Sequence, residues 1–129
     1  MRVYNKWHSM IKKELKKMNL THPQFVVLAS LAYLSQDSNE VTQVMISKLS
    51  GIDVMTVSQI LNLLEKNDFV KRKEHSRDTR AKAVILNKKG EEVLQKAVPL
   101  VEQIDKFFFG KLDTDEEQFK HFLARLNEE

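Results

Sequence analysis

Residues 42–90 read TQVMISKLSGIDVMTVSQILNLLEKNDFVKRKEHSRDTRAKAVILNKKG, and this stretch decides the fold. Thr42 is placed to cap a short helix, its hydroxyl accepting from the free N–H groups of the first turn. Val41 before it and Ile46 after it have the spacing of a hydrophobic staple. Gly51 stands where that helix would end in a left-handed cap. Asp53 then opens a second helix, with Ile52 and Val57 repeating the staple. Val57, Ile60, Leu61 and Leu64 give this helix an inner face, and Asn67 is the expected left-handed terminator. Two helices meeting across a tight turn form a helix-turn-helix. Phe69 and Val70 begin an extended run, and Ala83-Val84-Ile85-Leu86 form another. The polar segment Glu74–Arg80 between them makes a β-hairpin with a charged tip.

Working outward, residues 3–18 have the apolar spacing of an amphipathic helix, with Val3, Trp7, Met10, Ile11, Leu15 and Met18 at steps of three and four. A second helix starts near Pro23, which suits a first helical position, and turns Phe25, Leu28, Leu31, Ala32 and Leu34 inward. After the hairpin a long helix runs from Lys88, with Asn87 as its expected cap. Its stripe is Val93, Leu94, Ala97, Val98, Val101, Ile104 and Phe108. Pro99 should kink it or loosen one turn, and Gly110 should end it. A last helix over 115–126 carries Phe119, Phe122, Leu123 and Leu126.

Composition agrees with one mainly helical domain. The chain has 129 residues, 42% hydrophobic and 30% charged, with only 3 Gly and 2 Pro, too few turn residues for a β-sandwich or a dinucleotide-binding fold. It has no cysteine, which removes disulfides, thiol catalysis and cysteine-based metal sites. His8, His22, His75 and His121 are scattered, and only His8 and His22 are candidates for neighbours, so no metal or cofactor is expected. No run of 18 uncharged apolar residues and no signal-peptide pattern are present, so a cytoplasmic protein without a membrane partner is expected. No nucleophile–base pair or phosphate loop points to an enzyme.

The net charge of +3 hides a pattern. Residues 1–18 carry six cations against Glu14. Residues 71–89 carry eight, Lys71, Arg72, Lys73, Arg77, Arg80, Lys82, Lys88 and Lys89, against Glu74 and Asp78. The tail from Asp113 is acidic. A helix-turn-helix followed by a basic hairpin is a winged helix, a mainly α (α+β) fold suited to double-stranded DNA. Its second helix enters the major groove, and the wing reaches the adjacent backbone or minor groove. On the outward face of the second helix, Gln59 and Asn62 can make paired contacts to adenine edges, Thr56 and Ser58 can bond phosphate or base, and Met55 can touch a thymine methyl. Ser47, Lys48 and Lys82 are candidates for phosphate contacts. At the wing, Arg80 is the leading candidate, with Asp78 two residues earlier placed to hold its guanidinium, and Arg77 is a second.

Several of these runs together resemble the MarR family of bacterial transcriptional regulators. They are Leu49-Ser50-Gly51-Ile52, Thr56-Val57-Ser58, Leu64-Glu65-Lys66-Asn67-Asp68-Phe69-Val70, Asp78-Thr79-Arg80-Ala81-Lys82 and Leu86-Asn87-Lys88-Lys89-Gly90. Leu20-Thr21 with Gln24-Phe25 and Leu28 matches the family's second helix. The chain departs from the family pattern in having Asn67 where glycine is usual and in a first helix that is short at its start. The resemblance implies a single MarR-type domain over 1–129, with a DNA-binding lobe at 20–87 and dimerisation helices at 1–19 and 88–129. It implies an obligate homodimer reading a pseudo-palindrome, with Arg80 in the minor groove and Asp78 its partner. The apolar stripes of the flanking helices, wider than one lobe can cover, argue independently for a dimer. The family often binds small anionic aromatic effectors, and Trp7, Met10, Phe25 and Tyr33 are the candidates for lining such a pocket. The expected function is a dimeric repressor that occludes a promoter. The rival reading is a winged-helix protein-interaction module that does not bind DNA.

Overall fold

The computed structural model describes residues 1–74, 76–77 and 81–128. Its elements are α1 (Arg2–Lys16), α2 (His22–Ser35), α3 (Gln43–Ser50), α4 (Val54–Lys66), β1 (Val70–Glu74), β2 (Lys82–Leu86), α5 (Lys88–Phe109), a 3-10 stretch (Gly110–Asp115) and α6 (Glu116–Leu126). This is the mainly α, winged-helix architecture expected.

Local chemistry explains most boundaries. Thr21 and Gln24 form a reciprocal capping box at the start of α2, with Thr21 Oγ1 accepting from the Gln24 N–H at 3.2 Å and the Gln24 side chain accepting from the Thr21 N–H at 3.1 Å. Thr42 caps α3 by accepting from the Met45 N–H at 3.3 Å, and Gly51 closes α3 at φ 76. At the end of α4 the left-handed residue is Asp68 (φ 64), while Asn67 keeps φ −87. Asn67 is the C-cap of the helix, and the left-handed turn falls on the residue after it.

The core draws on every layer of the lobe. Ile11 and Leu15 of α1, Val27, Leu28 and Leu31 of α2, Ile46 of α3, and Val57, Leu61 and Leu64 of α4 are fully buried. Strands β1 and β2 pair antiparallel from Val70↔Leu86 to Glu74↔Lys82. Val41 adds a short third edge: it pairs with Val84, whose N–H donates to the Val41 carbonyl at 2.7 Å. The residue just before the helix-turn-helix is therefore built into the wing's base.

Helix α5 buries Leu94, Ala97, Val101 and Ile104. It continues as one helix through Pro99. Both Pro99 and Gln95, whose carbonyl loses its partner to the proline, are exposed, so water can take that hydrogen bond. Asn87 occupies the cap position without a capping bond; its Nδ2 donates instead to the carbonyl and side chain of Asp68. Gly110 stays right-handed at φ −61, and the chain turns later, at Asp113 (φ 53). Helix α6 buries none of its residues.

Candidate nucleic-acid interface

The turn between α3 and α4 is held by short side chains. Ser47 Oγ donates to the Ile52 carbonyl at 2.6 Å, and Ser50 Oγ accepts from the Ile52 N–H at 3.2 Å. Asp53 accepts from the Thr56 N–H at 2.8 Å and from the Thr56 hydroxyl at 2.9 Å. These bonds hold the Asp53 carboxyl below its usual range, the Thr56 hydroxyl being the larger cause and its N–H the next. The two helices meet at a bend of 112°. The negative charge of Asp53 sits at the positive end of α4.

This local network changes the reading of two expected DNA contacts. The hydroxyl protons of Ser47 and Thr56 are both committed to the turn, so these residues shape the helix entry first and can only accept from a further partner. The remaining outward set is present. Met55 is 76% exposed, Gln59 and Asn62 are exposed, and Ser58 is half-buried. Lys48, Arg77 and Lys82 are exposed on α3 and the hairpin. Asp78 and Arg80 lie outside the described residues.

Asn62 is not a free amide. Its Oδ1 accepts from Arg72 Nη2, which occupies one of that oxygen's two lone pairs and fixes the orientation of the amide. A paired contact from Asn62 to adenine would have this oxygen shared with Arg72. Local spacing does not mark Arg72 apart from its neighbouring cations, because its partners lie up to 29 residues away. Alternation along β1 is the signal for it, since Arg72 stands two residues after the buried Val70 and so on the same face.

No single helix among the described residues is long and apolar enough to cross a membrane. The candidate effector residues have different surroundings. Phe25 is buried in the core, Met10 packs against it, and Tyr33 is 62% exposed. Trp7 Nε1 donates to Asp105 Oδ1 at 2.8 Å, and its ring meets those of Tyr4, His22 and Phe109. A groove of about 760 Å³ opens elsewhere, between α2, β2 and α5, and is lined by residues such as Ala32, Ser35, Val84, Leu94 and Val98. His8 and His22 are neighbours, with ring centroids 5.3 Å apart. Burial pushes the His22 pKa down, the nearby His8 adds to this, and Asp105 opposes it. Among the described residues no group of three or more His, Cys, Asp or Glu is arranged to hold a metal ion.

On the far side, apolar side chains stand in the open. Val3 of α1 is 69% exposed, Phe107 of α5 is 63%, and Phe122, Leu123 and Leu126 of α6 are between 46% and 83%.

A helix-turn-helix with a two-stranded wing, its second helix outward and its hairpin basic, defines a winged-helix protein. A family model for the ArnR1-like winged-helix domain matches residues 16–103. The uncharacterized HTH-type transcriptional regulator YdcH of Bacillus subtilis is 34% identical over 122 residues, covering 95% of this chain and 80% of the relative. Among solved structures, a mutant MarR from Escherichia coli complexed with operator DNA superposes with a TM-score of 0.86 at 22% identity, covering 98% of this chain and 89% of that one. BpsR of Bordetella bronchiseptica superposes at 0.82 with 27% identity, covering 96% and 86%. The chain belongs to the MarR family of winged-helix transcriptional regulators.

Proposed function

We infer that this chain binds double-stranded DNA in a sequence-specific manner as a homodimer and represses transcription by occluding a promoter. The observation that carries this reading is the outward face of α4, with Met55, Ser58 and Gln59 presented beside a basic hairpin. Met55, Ser58 and Gln59 would meet base edges in the major groove. Lys48, Arg77 and Lys82 would neutralise phosphates, and Arg80, steadied by Asp78, would enter the flanking minor groove. The likeness to a MarR solved with operator DNA supports this use of the fold.

Dimerisation is supported by α6, an amphipathic helix with no fully buried residue within its own chain, only Phe119 and Glu116 being half-buried. A two-fold dimer would present two α4 helices to half-sites of a pseudo-palindrome, as a regulator acting in the cytoplasm. Relief by a small aromatic or anionic effector completes the proposal. BpsR, whose DNA binding is regulated by 6-hydroxynicotinic acid, supports it. The groove between α2, β2 and α5 is a better seat than Trp7, Met10, Phe25 and Tyr33, because it joins the DNA-binding lobe to the long helix. An occupant there could change the separation of the two α4 helices.

Selection of duplexes from a random pool tests the reading. The expected result is enrichment of a pseudo-palindrome whose half-sites lie about one or two helical turns apart. A folded protein that enriches no sequence, even at low salt, would refute it and favour a protein-interaction module.

A further inference from the structure

Among the cations of the hairpin, Arg72 differs from its neighbours. Its side chain is 14% exposed, and its guanidinium meets acceptors on both helices of the helix-turn-helix. Nη1 donates to Gln43 Oε1 of α3 at 2.9 Å. Nη2 donates to Asn62 Oδ1 and, at 3.1 Å, to Glu65 Oε1 of α4. The backbone N–H of the same residue donates to Glu65 Oε2 at 3.2 Å. The middle of β1 is thus fastened to α3 and α4 by one side chain and its own main chain. Nearer the tip, the Ser76 N–H donates to Glu40 Oε1 at 3.3 Å.

The chemistry of the fork matters here. Arginine offers five donors in a fixed plane and no acceptor, whereas a lysine ammonium is a single point that cannot span three acceptors on two helices. Because Arg72 can only donate, it also fixes which way two amides face. Gln43 and Asn62 turn their oxygens to it, so their NH₂ groups point away.

We propose that Arg72 is a positioning residue for DNA recognition, locking the wing at one angle to α4 and holding Asn62 as an outward donor. The proposal rests on the DNA-binding reading above. Helix and wing then approach neighbouring grooves as one rigid body, so the ordering cost is met in folding rather than on the DNA. With its guanidinium already engaged, Arg72 makes no phosphate contact of its own.

The test uses the full chain and the variants Arg72→Lys, Glu65→Gln and Asn62→Ala. Affinity is measured for a selected duplex and for a scrambled one at two salt concentrations. In parallel, the absence of cysteine allows spin labels at Ser76→Cys and Leu63→Cys, diluted with unlabelled protein so that the distance within one chain is read. Arg72→Lys is expected to bind the selected duplex about tenfold or more weaker, to bind the scrambled duplex like the wild type, and to keep the wild-type salt dependence. The label–label distance, narrow in the wild type, should broaden. Glu65→Gln and Asn62→Ala should move the same readings less and combine non-additively with Arg72→Lys. Retention of specific affinity and of the narrow distance by Arg72→Lys would overturn the proposal, because charge alone would then suffice. Equal losses on both duplexes with a shallower salt slope would also overturn it, in favour of a phosphate contact. If the wild type does not discriminate between duplexes, the DNA-binding reading fails instead. The distance measurement then decides whether Arg72 fastens the wing: unchanged in Arg72→Lys, it overturns the proposal.

Discussion

Gly90, in the first turn of α5, lies directly against the backbone of Phe69: a Cβ at Gly90 would stand 2.3 Å from the Phe69 carbonyl oxygen and 2.8 Å from Leu86 Cδ1. That oxygen also accepts from the Asn87 N–H at 2.9 Å. The start of the long helix, the end of the wing and the chain after α4 are therefore packed at one point where a side chain has no room.

Gly90→Ala should consequently destabilise the chain by about 1–3 kcal/mol, because a backbone carbonyl must move. Gly51→Ala presents the opposite case. Nothing lies within 4 Å of its would-be Cβ, and only the φ of +76 opposes the change, so about 1–2 kcal/mol is expected. Thermal melts of both variants check this, and only Gly90→Ala should also loosen hydrogen exchange at Asn87.

The contrast shows what a sequence makes legible. Thr42, Gly51 and Asp53 act within four residues of themselves, so their spacing announced the helix-turn-helix. The basic hairpin was equally plain from its two β-branched runs. The sequence points to Asn67 as the left-handed terminator, whereas Asn67 is the C-cap and Asp68, just beyond it, takes the positive φ. Val41 gave no sign of pairing with Val84, since that pairing depends on where the finished wing lies. Arg72 looked like one more surface cation, because its partners Gln43, Asn62 and Glu65 come together only in the fold. Helical spacing groups Trp7, Met10, Phe25 and Tyr33, and it does not show that Phe25 is buried in the core or that Trp7 bonds Asp105, because both depend on helices far apart in the chain.

That bond joins α1 to α5 across 98 positions of sequence. Asp105→Ala should cost about 1.5–3 kcal/mol, the range for a hydrogen bond to a charged group, toward its lower end because the site is only half-buried. Asp105→Asn should keep most of the stability, since its oxygen still accepts. Trp7 is the sole tryptophan, so its emission should shift to the red in Asp105→Ala and little in Asp105→Asn.

Stability should also depend on pH through His22. Its pKa in the folded chain is below the ordinary 6.5, from burial first and His8 second, with Asp105 opposing. The unfolded chain then binds more protons over the interval between the two values. Stability is fullest above pH 6.5, falls as the pH drops below it, and levels off once the folded value is passed. Denaturant titrations of wild type and His22→Gln should differ in this slope, with the variant flatter.

Phe122 and Leu123, each nearly half exposed on α6, should lie in the contact between protomers. Sedimentation should give the wild type twice the chain mass of 15.1 kDa. Phe122→Glu should shift the protein toward the single-chain mass at micromolar concentration, because a buried charge without a partner opposes association. A wild type that sediments as one chain at every concentration would contradict the dimer.

The most direct measurement is fluorescence anisotropy of a selected duplex against its scrambled counterpart, at two salt concentrations, for the wild type, Gln59→Ala and Arg80→Ala. The account predicts that the wild type prefers the selected duplex by about a thousandfold or more. Gln59→Ala should lose about tenfold or more on that duplex alone, as a base contact does. Arg80→Ala should weaken binding with a shallower salt slope. Equal and weak binding of both duplexes by all three proteins would contradict it.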